Sequence, residues 1–327
     1  MDVSRITGGR IPNSPPSTLT PHSRGAQPKR YSVSQLNHTS RPKRTLAKSA
    51  ALGAIALLCG SLASAPAATA GTVDVSPPGA NDWSCKPSAA HPNPVILVPG
   101  TFESMAKNWA TMAPALKSEG YCVYALNYGT TNGIDATGPI ADSAAQLAPF
   151  VDAVLASTGA KKVDLVGHSQ GGMMPRYYMG FLGGAKKVNQ LVGIAPSNHG
   201  TQGLITPTPG SVPPATSAGG SNCQACADQQ AGSPFLTKLN SIGDTVSGPA
   251  YTVISTTHDE VVTPYQSQFL AGPAQKVTNI TIQDKCPADV IEHDQTPNDP
   301  VVQRLVSNAL GRPAGQPADP AFQPSCL

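Results

Sequence analysis

Beyond residue 70 the chain has no surplus of positive charge. Residues 71–327 hold 13 Lys and Arg against 18 Asp and Glu, a net charge of about −5, although the full 327 residues are formally +3. The electrostatic footprint of a protein that grips nucleic acid or an anionic membrane is therefore missing. Long apolar runs are missing too: Ala50 to Leu58 supplies about ten apolar residues where a membrane-spanning helix needs about twenty. No second C-x-x-C accompanies Cys223-Gln224-Ala225-Cys226, and no Cys/His cluster stands at ligand spacing, so no metal site is legible and no cofactor is expected. There is no internal repeat.

What is present begins with a leader. The first seventy residues carry nine basic side chains (Arg5, Arg10, Arg24, Lys29, Arg30, Arg41, Lys43, Arg44, Lys48) and one acid, Asp2. The apolar run Ala50 to Leu58 and the small-residue site Ala68-Thr69-Ala70 follow. A basic stretch, an apolar stretch and an A-x-A site in that order read as a secretory signal ending near Ala70, preceded by an unusually long basic region. Ala63-Ser64-Ala65 is a poorer cleavage site because Pro66 follows it, and Leu58 before Cys59 argues against a lipoprotein box. Residues 71–327 suit a single α/β domain with an ample core. Seven cysteines become six once Cys59 leaves with the signal, and an even count in an exported chain reads as a disulfide set with fifteen conceivable pairings. Cys223 and Cys226 read as one such bridge rather than as a redox or zinc pair.

Short β-branched apolar runs alternate with helical-period segments. The runs are Pro94 to Val98, Cys122 to Leu126, Val163 to Val166, Leu191 to Ile194, Tyr251 to Ile254 and Val277 to Ile282. The alternation predicts a mostly parallel central sheet with helices on both faces. Ile140, Leu147, Val151, Val154 and Leu155 make one stripe of a helix that Thr158-Gly159 stops, and Val301, Val302, Leu305, Val306 and Leu310 make that of a closing helix ended by Gly311 and Pro313. Residues 200–222, nearly all Gly, Pro, Ser, Thr and Ala, have no period. They are expected to form either an active-site cap, extending over 200–235, or a surface excursion.

The chemistry centres on Gly167-His168-Ser169-Gln170-Gly171, directly after Val163-Asp164-Leu165-Val166 and before a helical segment. A G-x-S-x-G match arises often by chance in a chain with 31 glycines; the strand-turn-helix setting is what makes this one a nucleophile elbow. A serine hydroxyl needs a base, and the base needs a carboxylate to hold its tautomer. On such sheets the partners follow in the order Ser, Asp or Glu, His. That order excludes His91, His168, His199 and His258 and leaves His293. Asp259, just past the strand Tyr251 to Ile254, is the acid, with Glu260 as the fallback; Asp289 and Asp294 lie too near His293 in sequence to be first choices. For the oxyanion, the N–H of Gln170 is one donor, and Thr101, in Pro99-Gly100-Thr101-Phe102, offers its N–H and potentially its hydroxyl as another.

These blocks (Val95 to Thr101, Gly167 to Gly172, His258 to Pro264 and Ile291 to Asp294) together resemble the secreted lipases and esterases of actinobacteria, within the α/β-hydrolase superfamily, and more distantly yeast lipase B. The resemblance spans roughly residues 83–327. It implies Ser169, Asp259 and His293 as a triad, Thr101 and Gln170 as oxyanion donors, and the pairings Cys85–Cys122 and Cys286–Cys326. Residues 200–235 have no counterpart in lipase B, whereas His168 agrees with the bacterial relatives. The expectation is a secreted, monomeric, cofactor-free serine ester hydrolase acting on acylglycerols, at a lipid–water interface if the substrate is emulsified. Its rivals are a short-chain esterase or polyester depolymerase with the same triad, and a non-catalytic binding protein on the same scaffold. Phe102, Met105, Met173, Met174, Leu204, Ile205 and Phe235 are the apolar residues available to line an acyl path.

Overall fold

The computed structural model describes residues 75–203 and 223–326. The expected leader, its cleavage site, and Leu204 and Ile205 lie outside the described residues.

Six strands form one sheet: β1 (Val95–Val98), β2 (Val123–Ala125), β3 (Val163–His168), β4 (Val188–Ile194), β5 (Ala250–Ser255) and β6 (Val277–Thr281). Their spatial order is β2-β1-β3-β4-β5-β6 and every pairing is parallel. Each strand lies within three residues of its apolar run. Pleating sends alternate residues to opposite faces. In β1, Ile96 and Val98 face one core while Val95 and Leu97 face the other, and all four are fully buried. The first core packs against α3 (Ile140–Thr158) and α4 (Gln170–Phe181), and the second against α1 (Met105–Asn108), α2 (Met112–Ser118) and α8 (Pro300–Leu310). α5 (Gln224–Asp228) and α6 (Pro234–Asn240) precede β5, and α7 (Ile282–Lys285) follows β6.

The helices stop and start where the local chemistry asks. Gly159 closes α3 with φ 76°, a left-handed conformation that a Cβ disfavours. Asp299 caps α8 by accepting from the N–H groups of Val301 and Val302, with Pro300 in the first turn. Met105, Met173 and Met174 are core residues, so they belong to the packing rather than to an open acyl path.

Three disulfides staple this body: Cys85–Cys122, Cys223–Cys226 and Cys286–Cys326, with Cα–Cα separations of 5.7, 5.3 and 5.5 Å. The first and third close spans of 37 and 40 residues. In a chain-entropy picture each stabilises the fold by roughly 4 kcal/mol. The second spans only three residues and acts locally, on the short helix α5.

Connections from β1 and β3 leave in opposite directions along the sheet, the first to β2 and the second to β4. This is the topological switch point, and the crevice at the carboxyl ends of these two strands is where open α/β sheets place their ligands. At the other end of β3, Asp164 is buried, and desolvation raises its pKa from 3.8 to about 6 despite the amide of Asn189, which donates to it at 2.7 Å. Because its folded pKa lies above its unfolded value, the stability it supplies is present below about pH 4 and is lost as pH rises through about 6. Asp164→Asn, which keeps the acceptor and removes the charge, is predicted to raise the thermal midpoint relative to wild type more at pH 8 than at pH 4, by the equivalent of about 1–3 kcal/mol. Equal midpoint differences at both pH values would contradict it.

Candidate active site

Steric exclusion builds the elbow. A Cβ at Gly167 would lie 1.9 Å from the carbonyl oxygen of Gly171, and one at Gly171 would lie 2.1 Å from that of Val98 and 2.4 Å from that of Pro99. Only hydrogen fits at either position. With both glycines in place β3 turns into α4 within one residue, and Ser169 takes φ 54° and ψ −123°, a conformation that L-residues with a side chain rarely adopt. Phe102 in the loop after β1 also has a positive φ, 66°. Ser169 and Phe102, both in this conformation, thus flank the switch point. Gly171→Ala is predicted to cost about 4 kcal/mol or more, a fall in thermal midpoint of roughly 10 °C. An unchanged midpoint would mean that the carbonyls of Val98 and Pro99 yield easily.

Four carboxyl ends converge here. Thr101 follows β1, Ser169 follows β3, Asp259 lies four residues past the end of β5, and His293 opens a 3₁₀ turn (His293–Asn298) after β6. His293 Nδ1 donates to Asp259 Oδ2 at 2.8 Å, with both side chains almost fully buried. The carboxylate is itself saturated: Oδ1 accepts from the N–H groups of Val261 and Val262 at 2.9 and 2.7 Å, and Oδ2 also accepts from Gln268 Nε2 at 2.8 Å. Burial alone pushes the Asp259 pKa up, but the charge and hydrogen bond of His293 and these amides hold it below 3.8. Burial likewise works against a charged His293, and the Asp259 carboxylate outweighs it, leaving the imidazole above 6.5. An acceptor-only carboxylate on Nδ1 fixes the tautomer and leaves Nε2 with its lone pair.

Contact between this pair and the elbow runs through His168. Its Nε2 faces the carbonyl oxygen of His293 at 3.1 Å, its Nδ1 faces Asn108 Nδ2 at 3.1 Å, and the two imidazole centroids are 4.9 Å apart. Asn108 Oδ1 in turn accepts from the N–H of Gly100 at 2.9 Å. Burial drives the His168 pKa down to about 3, so this ring is neutral, donating from Nε2 and accepting at Nδ1. The His293 ring is hydrogen-bonded through Nδ1 to Asp259, and no hydrogen bond joins it to Ser169 Oγ.

On the other side of Ser169, the N–H of Gln170 opens α4, where helix geometry leaves it without an intrahelical partner. The N–H of Thr101 has no acceptor among the described residues either. The Thr101 hydroxyl is engaged: it donates to Gln170 Oε1 at 2.7 Å and accepts from Gln229 Nε2 at 2.8 Å.

The remaining histidines and acids take other places. His91 packs on the ring of Tyr121, and His199 pairs with Asp244 at 2.9 Å and faces the carbonyl of Ser267. His258 and Glu260 are exposed, and Glu260 does not join the buried pair. Asn108, Gln229 and Gln268, which complete the hydrogen bonding around the site, are single amides and carry no motif that marks them in the sequence. Among the described residues no group of His, Cys, Asp or Glu is arranged to hold a metal ion.

Residues 92–306 match the family model described as Lipase (class 2). The chain belongs to this family. As a class 2 lipase family member it is 42% identical over 94 residues to triacylglycerol lipases of Pseudarthrobacter phenanthrenivorans and Burkholderia plantarii, covering 27% of this chain and 28% and 25% of those proteins. The matched stretch spans about a quarter of each relative's length. Among solved structures, Aspergillus fumigatus lipase B superposes with a TM-score of 0.60 at 22% identity, covering 75% of this chain and 57% of that one. The propeptide form of Bacillus licheniformis lipase BlEst2 gives 0.51 at 17%, covering 72% and 54%. These likenesses bear on the fold, which is that of the α/β-hydrolases.

Proposed function

We propose that this class 2 lipase family chain hydrolyses carboxylic esters, acylglycerols among them, through an acyl-enzyme on Ser169. The observation that carries the reading is the buried His293–Asp259 pair beside an elbow whose serine stands at the switch point of the sheet. The triacylglycerol lipase activity named for the partial relatives supports the substrate class.

In the substrate complex Ser169 Oγ attacks the ester carbonyl while its proton passes to His293 Nε2, which must come within hydrogen-bond reach. Asp259 holds the imidazolium. The tetrahedral oxyanion is received by the N–H groups of Thr101 and Gln170, the latter at the positive end of α4. Collapse of the intermediate breaks the bond to the alcohol, which leaves with the proton from Nε2. A water molecule, deprotonated by the same nitrogen, then attacks the acyl-serine; collapse breaks the bond to Ser169 Oγ, which takes the proton back from Nε2 as the acid is released. Nothing in these steps calls for a cofactor.

The leader-like first seventy residues and the three disulfides support export to an oxidising compartment. Among the described residues no helix is long and apolar enough to cross a membrane.

Ser169→Ala is predicted to lose several orders of magnitude in kcat and all labelling by a fluorophosphonate; near-normal turnover would remove Ser169 from the mechanism. A hydrolysis profile from acetate esters to emulsified long-chain triglyceride tests the acylglycerol assignment, which fails if only soluble short-chain esters are cleaved. Because the base works as neutral imidazole, kcat/KM is expected to rise with pH through a midpoint above 6.5. Asp259→Asn should lower that midpoint and reduce kcat by about 10³–10⁴. A midpoint left in place by this substitution would separate Asp259 from His293 in function.

A further inference from the structure

Gln229 is fully buried, comes from a part of the chain 59 residues beyond Gln170, and ends with its side chain between the two residues that offer the oxyanion N–H groups. Its Nε2 lies 2.8 Å from Thr101 Oγ1, 3.2 Å from Gln170 Oε1 and 3.1 Å from the carbonyl oxygen of Ala225. Its Oε1 accepts from Ser197 Oγ at 2.8 Å. A backbone carbonyl only accepts, so the Ala225 contact fixes which end of the amide is the donor. That in turn fixes the Gln170 amide with its oxygen toward Gln229. Among the described residues Gln170 Nε2 is buried without a partner, and the orientation of this side chain is set at its oxygen, by Thr101 and Gln229.

We infer that Gln229 is a positioning residue for the oxyanion site, acting through Thr101 and Gln170. This inference rests on the ester-hydrolase reading above. A developing oxyanion is stabilised by donors already in place, because no free energy is then spent on reorienting them during reaction. Thr101 sits in a loop that carries a strained neighbour, Phe102, and among the described residues its side chain has Gln170 and Gln229 as polar partners. With Gln229 donating to its oxygen, the Thr101 proton is directed away from Gln229 toward Gln170. The three side chains form one triangle across the loop after β1 and the start of α4.

The short helix α5 delivers this amide. Gln229 is its C-cap, with its N–H bonded to the carbonyl of Ala225, and the Cys223–Cys226 bridge closes the same turn. The N–H of Ala225 is also held by the carbonyl of Thr137 at 3.1 Å, which docks α5 beside the entry to α3. The C-x-x-C bridge thus acquires a purpose in this fold: it stiffens the turn from which Gln229 reaches the oxyanion loop.

The test is steady-state kinetics on a soluble p-nitrophenyl ester for wild type, Gln229→Met, Thr101→Val and the double variant, with thermal midpoints and fluorophosphonate labelling measured alongside. Gln229→Met keeps the volume and loses the donor. Expected is a fall in kcat of about tenfold or more with KM within about twofold, and a much smaller effect of the same substitution in the Thr101→Val background. Wild-type kcat in Gln229→Met, a change confined to KM, or an equal loss in both backgrounds would each overturn the positioning role. If Gln229→Met does not fold, Ser197→Ala removes only the hydroxyl that orients the amide. It is expected to lower kcat by a few-fold, and an unchanged kcat would count against the role. A wild-type chain that is neither labelled at Ser169 nor active on esters would sink the hydrolase reading itself, an outcome distinct from an active wild type with an indifferent Gln229.

Discussion

Two hydrogens in place of two methyl groups hold the site together. At Gly167 and Gly171 the backbone of β3 and the first turn of α4 pass so close to each other, and to the carbonyls of Val98 and Pro99, that a Cβ would overlap an oxygen. This contact makes the elbow sharp and seats α4 directly behind the end of β1. It also sets Ser169 in its strained conformation at the switch point of the sheet. The position of the hydroxyl, the orientation of the Gln170 N–H and the proximity of the Thr101 loop all follow from it.

The Asp259–His293 pair depends on a second constraint, burial with full hydrogen bonding. A carboxylate removed from water is costly unless its lone pairs are met. Asp259 meets that demand with two backbone amides, the Gln268 side chain and the His293 ring. The same saturation prevents the carboxylate from turning elsewhere and keeps the imidazole in a single tautomer. His168, neutral because it is buried, ties the His293 backbone to the elbow, and Asn108 carries that tie on to Gly100 in the loop after β1. Loops from β1, β3 and β6 are thereby held by one chain of buried hydrogen bonds, which is stiffer than three independent loops.

Stiffness of this kind is distributed unevenly. The sheet and its two apolar cores are fixed by alternating burial, and the C-terminal segment is pinned by Cys286–Cys326. α5 and Gln229 rest instead on one short disulfide-closed turn and a few polar contacts. The Thr101–Gln170 contact, supported from such a turn, is open to change by substitution outside the motif that marks the serine.

Much of this was legible in the chain before any fold was known. The six apolar runs, the stops at Gly159 and Gly311 and the elbow's glycines follow from local rules: period, capping and steric permission act over a few residues. The pairing of Asp259 with His293 was reachable through chain order. Local rules could not reveal Asn108, Gln268 or Gln229, because an amide's role depends on which distant atoms surround it and no spacing encodes that. Nor could they say where the Thr101 hydroxyl points, since Gln229, from a remote segment, claims its oxygen. The sequence by itself determined the parallel α/β architecture and the residues able to do chemistry, through interactions between near neighbours. Only the tertiary structure decided which buried amides orient them, because hydrogen-bond partners are chosen by packing across the chain.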